Sequence, residues 1–131
     1  MYHLLLPAIK SLLEQTTKFG AVVCGPGSGT YPLCNVLLRK SLPSSSGPTE
    51  TAQILVQVQS AAGDDSEAAY LETLQLIAVA RDALHHQRLP GHGAKLLKVD
   101  GVDTAQVRDT GEMIYYLPIS IIVDRESFTV L

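Results

Sequence analysis

The sequence predicts an α+β fold: an antiparallel (mixed) β-sheet of four to five strands with two main helices packed on one face. The predicted order is α-β-β-(β)-α-β-β. Three observations predict it. Apolar residues recur at helical spacing in two stretches, about residues 3–18 and 66–88. The run Thr51–Gln59 alternates apolar and polar residues. A long Ile- and Tyr-rich run at 113–123 follows the reversal signal Asp109-Thr110-Gly111. A length of 131 residues makes residues 1–131 a single domain by default.

Each element has a local cause. Leu4, Leu5, Ala8, Leu12 and Leu13 sit among Lys10, Glu14, Gln15 and Lys18, which marks an amphipathic helix. Pro7 is tolerated in its first turn and Gly20 is its expected stop. Strands are expected at 21–24 and 33–40. The segment Leu42-Pro43-Ser44-Ser45-Ser46-Gly47-Pro48-Thr49 carries no apolar residue after Leu42 and reads as a long mobile hairpin loop. In the next strand Ala52, Ile54, Val56 and Val58 share one face; Gln53, Gln57 and Gln59 share the other, with Leu55 the exception. The sheet therefore has one core face and one polar face.

Asp64 or Ser66 is placed to cap the second helix, with acids in its first turn. Tyr70, Leu71, Leu74, Ile77, Ala78 and Leu84 carry its period, His85, His86 and Arg88 fall in its last turn, and Leu89-Pro90-Gly91 stops it. Residues 95–108 and 113–123 form the closing hairpin, with Asp100-Gly101 a turn or bulge signal. Pro118 has no amide hydrogen, so its nitrogen side should face an edge or a bulge.

Composition narrows the functional classes. The net charge is −3 with no basic block, which argues against a nucleic-acid groove. Trp is absent and aromatics make up 5%, so stacking platforms are scarce. The apolar runs are too short to cross a bilayer as helices, and the N-terminus lacks the marks of a signal peptide. Synthesis in a cytoplasm, with Cys24 and Cys34 reduced, is the expectation.

Four groupings might carry chemistry. The stretch Gly20-Ala21-Val22-Val23-Cys24-Gly25-Pro26-Gly27-Ser28-Gly29-Thr30 looks like the entry to a phosphate loop. It has no Lys after its last glycine, Thr30 stands where the third glycine of a dinucleotide fingerprint belongs, and a strand follows where a helix is needed. A connection between strands fits better. His85, His86 and His92 lie close in sequence, but His85 and His86 are adjacent, so they diverge by about 100° on a helix, which fits a solvated helix end better than a metal site. Asp100, Asp103, Asp109 and Glu112 cluster around turns, where Asp is favoured for local hydrogen bonding rather than acid–base work. Ser44, Ser45 and Ser46 lack a nucleophile elbow. These patterns argue against an enzyme, and no cofactor or metal site is expected.

Tyr31-Pro32-Leu33-Cys34-Asn35-Val36 follows a helix, and Ala52-Gln53-Ile54-Leu55-Val56-Gln57-Val58 leads through an acidic turn to a helix. With these stretches the element order resembles that of the tail terminator proteins of long-tailed bacteriophages, a family of neck and minor tail proteins, and the resemblance rests on them. It is carried also by Val99-Asp100-Gly101-Val102-Asp103-Thr104-Ala105-Gln106-Val107-Arg108-Asp109-Thr110-Gly111 before a closing strand. It covers nearly the whole chain as a pattern; the loops at 25–30 and 43–49 are not part of it.

The resemblance implies a virion protein forming a ring, usually of six copies, on the tail tube. Such a ring ends tube polymerisation and offers a head-joining surface. Its implied partners are itself, the tail tube protein on one face and a head-completion protein on the other, with DNA passing through the lumen unbound and no membrane. Candidate interface residues are Gln53, Gln57, Gln59, Asp100, Asp103, Arg108, Asp109 and Glu112. Candidate docking loops contain Gly25, Gly27, Gly29, Ser44, Ser45 and Ser46. The alternatives are another neck protein (a tail-completion or head-closure factor), a small ligand-binding module built on the Gly25–Thr30 loop, or a small hydrolase or isomerase using Asp100, Asp103 or the histidines.

Overall fold

The computed structural model describes residues 2–43, 47–60, 66–89, 97–106 and 113–124. Ser44, Ser45, Ser46, Asp64, His92, Arg108, Asp109 and Glu112 lie outside the described residues. The elements are α1 (Tyr2–Glu14), β1 (Ala21–Cys24), β2 (Leu33–Pro43), β3 (Thr49–Gln59), α2 (Glu67–Leu84), β4 (Lys98–Val99), β5 (Asp103–Gln106) and β6 (Met113–Asp124). The fold is α+β, as the sequence predicts. The sheet is mixed: β1 runs parallel to β2, and β2–β3, β3–β6 and the pairings of β4 and β5 with β6 are antiparallel. The spatial order is β1-β2-β3-β6-β4, with β5 also on the edge of β6.

Both helices lie on one face. Leu5, Ile9 and Leu13 of α1 form a fully buried stripe, and Leu76, Ile77, Ala80 and Leu84 form a buried one on α2. They meet Ala52, Ile54, Val56 and Val58 of β3 and Leu117, Ile119, Ile121 and Val123 of β6. The register pairs Val56 with Leu117 and Ile54 with Ile119, so the two strands bury matching positions. Truncating any of the large members to Ala would cost about 2–5 kcal/mol. At the N-terminus, Tyr2 Oη donates to Glu50 Oε2 at 2.7 Å, and Ser41 Oγ donates to the same oxygen at 3.1 Å.

Several boundaries differ from the sequence prediction. α1 ends at Glu14, not near 18, because Thr16 turns back on Leu13: its N–H and its Oγ1 both donate to the Leu13 carbonyl. Thr17 then takes a left-handed φ of 59°, and Gly20 lies beyond the helix. β2 and β3 extend to Pro43 and from Thr49, so Leu42, Pro43 and Thr49 belong to paired strands rather than to a loop. The register of β2 shifts at Arg39: Leu38 pairs with Ile54, but Lys40 pairs with Gln53. α2 ends at Leu84, so His85 is its C-cap and His86 and Arg88 lie past its end; Arg81 is the basic residue of the last turn. Ser66 is the N-cap and accepts from the Ala69 N–H at 3.2 Å.

The first arm of the closing hairpin is two strands, because it breaks at Asp100-Gly101. Val99 pairs with Ile119 but Asp103 pairs with Tyr116, so three residues face two across the gap. Gly101 has φ 143°, which a side chain would disfavour. The Asp100 N–H donates to the Pro118 carbonyl at 2.8 Å. Within an antiparallel strand a residue's N and O face the same side, so the missing amide of Pro118 faces this irregularity, as expected.

Cys24 and Cys34 sit on neighbouring strands, but Cys34 pairs with Val22 and Cys24 with Val36. Cys34 is buried in the core, and burial pushes its thiol up to about 12. Cys24 is exposed; partial burial raises its thiol, Lys10 opposes the rise and Glu14 adds to it.

Two measurements check this packing. A thiol that ionises at 9.0 when unfolded and near 12 when folded adds stability that is complete below pH 9 and is lost as pH rises towards 12. The urea midpoint should fall over that window, and Cys34→Ala should flatten the fall. A methyl group on Gly20 would stand 2.6 Å from the Tyr31 carbonyl oxygen. Gly20→Ala should therefore lower unfolding stability by about 1–3 kcal/mol.

Candidate functional site

The sheet face opposite the helices is covered, among the described residues, only by the connection between β1 and β2. β-strand alternation places Gln53, Leu55, Gln57 and Gln59 of β3 on this outer face, each half-buried. Their cross-strand partners extend it as rows. Asn35, Gln57, Tyr116 and Asp103 form one row, and Lys40, Gln53, Ser120 and Lys98 another. Between them runs an apolar row of Leu37, Leu55 and Pro118. At the far end Leu42 and Ile122 flank Thr51 and are 48% and 52% exposed, large for apolar side chains.

The glycine-rich connection joins two parallel neighbours without a helix, so it must pass over a face of the sheet. It passes over this one. Gly27 and Gly29 lie against Val23 and Ala21, whose side chains point outward, and a side chain at Gly29 would meet Ala21 Cβ at 2.9 Å. The connection includes a cis Tyr31–Pro32 peptide bond. Asn35 holds its first half down: its Nδ2 donates to the Gly25 and Gly27 carbonyls, both at 2.9 Å, and the Gly25 N–H donates to the Val36 carbonyl at 2.9 Å. Asn35 is 4% exposed, so this carboxamide is a buried polar anchor whose two N–H groups are both used.

The loop and the strands enclose an open cleft of about 340 Å³. Its floor is a two-by-two patch, Leu33 beside Gln59 and Asn35 beside Gln57. Its walls are Pro26, Gly27, Ser28 and Tyr31. No lining residue is charged or a histidine. The Gln57 and Gln59 side chains repeat about 6.8 Å apart along β3. The described lining offers neutral donors and acceptors. It is suited to holding a polar group.

The structure thus unites two groups the sequence left apart: Gln57 and Gln59 with the Gly27 loop. Gln53 is two rows away. Asp100 and Asp103 lie on the far edge. Asp100 Oδ1 accepts from Ser120 Oγ at 3.3 Å and stands 3.9 Å from Lys98 Nζ, while Asp103 Oδ1 accepts from the Thr104 N–H at 2.8 Å. Asp103 thus makes the local hydrogen bond expected of an acid at a turn, and Asp100 bonds across to β6. The His85 and His86 rings stack at 3.8 Å, and His85 Nδ1 accepts from the Val99 N–H at 3.2 Å, tying β4 to the helix end. Among the described residues no three His, Cys, Asp or Glu side chains group as metal ligands, and no helix is long and apolar enough to cross a membrane.

Sequence reasoning missed Asn35 as an anchor. Its signal was present: one carboxamide in the otherwise apolar run from Leu33 to Leu38, just after a glycine loop whose carbonyls need donors.

No family model and no curated protein sequence matches the chain. Among solved structures it is similar to a chain from the virion of a native gene transfer agent particle, with a TM-score of 0.63 and 16% identity. The likeness covers 92% of this chain and 94% of that one. At this identity it shows a shared fold.

Removing the anchor tests the loop's attachment. Asn35→Ala leaves the Gly25 and Gly27 carbonyls without their donor, so unfolding stability should fall by about 1–3 kcal/mol. Amide exchange at residues 25–29 should quicken while that of β3 and β6 holds.

Proposed function

We propose that this protein is a structural component of a phage-like virion. Within the virion it acts at the tail end or neck, as a ring that caps the tail tube, ends its polymerisation and offers the head-joining surface. The observation that carries the reading is the fold shared with a gene transfer agent virion chain over nearly the full length of both. The sheet face that, among the described residues, carries only the β1–β2 connection supports it. Half-buried glutamine rows on either side of a half-buried apolar row, with exposed Leu42 and Ile122 at one end, suit a protein contact better than a solvated wall. On this reading the protein is not an enzyme; its work is steric and interfacial.

Gln53, Gln57, Gln59, Asp100 and Asp103 then belong to subunit or partner contacts, together with Arg108, Asp109 and Glu112. The Gly25–Gly29 loop docks against a neighbour, the tube protein or the head-completion protein. DNA passes the lumen without specific binding. A related neck role, tail completion or head closure, would use the same surfaces. The cleft between the glycine loop and Gln57 also favours a second reading, a module that binds a small neutral ligand.

Light scattering behind size exclusion decides between these. A mass near about six subunits, alone or on adding tail-tube protein, is expected of a closed ring. A monomer indifferent to concentration and to tube protein would overturn the ring and turn attention to ligands of the cleft.

A further inference from the structure

Helix α2 carries two apolar faces. The core uses Ala69, Thr73, Leu76, Ile77, Ala80 and Leu84. A second stripe of Tyr70, Leu71, Leu74 and Ala78 lies about 110° around the helix from that face. Tyr70, Leu71 and Leu74 are 48%, 55% and 37% exposed. The Tyr70 ring rests edge-on against Tyr115 at 5.8 Å, which fixes one border of the stripe. A helix that meets only the core needs no such second face.

The stripe is symmetric about Leu74 in a way that names its occupant. Glu67 and Arg81 lie seven residues before and after Leu74, both on the stripe. Tyr70 and Ala78 lie four residues before and after it. An antiparallel copy of the same helix, related by a two-fold axis at Leu74, sets Glu67 against Arg81 twice and the large Tyr70 against the small Ala78 twice. Such self-complementarity is what an isologous contact requires. Among the described residues the Arg81 guanidinium meets the adjacent Asp82 at 3.5 Å, and both side chains are largely exposed. Asp82 borders the stripe beside Arg81 and faces the start of the opposing helix, where the dipole favours an acid. Glu72 lies off the stripe.

We propose that α2 pairs antiparallel with α2 of a second copy of this chain through Tyr70, Leu71, Leu74 and Ala78, flanked by reciprocal Glu67–Arg81 ion pairs. The contact is a single helix pair, so it belongs with weak interfaces below about 1,200 Å² and forms at high concentration. It is independent of the ring reading, because it joins two copies whether or not rings form.

Sedimentation of the full chain over a concentration series tests it, with circular dichroism confirming that each variant folds. Wild type should double in mass as concentration rises, from one copy to two, or from a ring to a pair of rings. Leu71→Glu, at an exposed position, should abolish the doubling. Glu67→Arg and Arg81→Glu should each weaken it at least several-fold, and the double variant should restore it. A mass that never doubles, a doubling untouched by Leu71→Glu, or a double variant that fails to recover would overturn the proposal. A ring of constant mass in wild type and Leu71→Glu alike would overturn it and leave the ring standing.

Discussion

Everything in this fold depends on burying one face of a single sheet. β3 sits between β2 and β6, and its alternation of Ala52, Ile54, Val56 and Val58 with Gln53, Leu55, Gln57 and Gln59 sets the sidedness of both neighbours. A slip of one residue would carry four core side chains to solvent and four half-polar ones into the core. At about 1.5–3 kcal/mol for each of Ile54, Val56 and Val58, that slip would cost an amount comparable to the whole stability of an ordinary domain. Register is therefore rigid along β3, and the two helices have only one face on which to pack.

The same rigidity explains where the irregularities fall. Each lies in a neighbour of β3 or β6, never in those strands' shared register. Arg39 is the extra residue in β2, and beyond it Lys40 and Leu42 point outward where unbroken alternation would send Arg39 and Ser41. The Asp100-Gly101 break sits opposite Pro118, the one residue of β6 with no amide to offer. An edge strand can bulge at such a place without losing a bond it would otherwise make. Both devices change which side chains appear on the outer face, so they tune that surface at no cost to the core.

The outer face gains its character from the β1–β2 connection. Because β1 is parallel to β2, the chain must cross the sheet, and eight residues are too few for a helix. A glycine-rich strap is the remaining solution, and a strap laid on a sheet needs its carbonyls satisfied. Asn35 does this from beneath. The glycines that resemble a phosphate loop in the sequence are thus explained by a crossing, and the cleft beside them is a consequence of it.

The sequence by itself determined the α+β class, the two helices and their common face, the polarity of the glutamine face, a cap at Asp64 or Ser66 (the structure uses Ser66) and the placement of Pro118 at an irregularity. All of these rest on periodicity or on the chemistry of one residue, which are local. Tertiary structure decided the rest. The parallel pairing of β1 depends on a neighbour twelve residues away, with no helix between to announce it. The early ends of α1 and α2 depend on Thr16 and His85 meeting the chain, since the first glycine or proline beyond each helix, Gly20 and Pro90, lies six residues past its end. The meeting of Gln57 and Gln59 with Gly27 depends on register across strands, which no window of sequence contains. The exposure of Leu71 and Leu74 is of the same kind: α2 reads as one amphipathic helix until the core is seen to use only one of its two apolar faces.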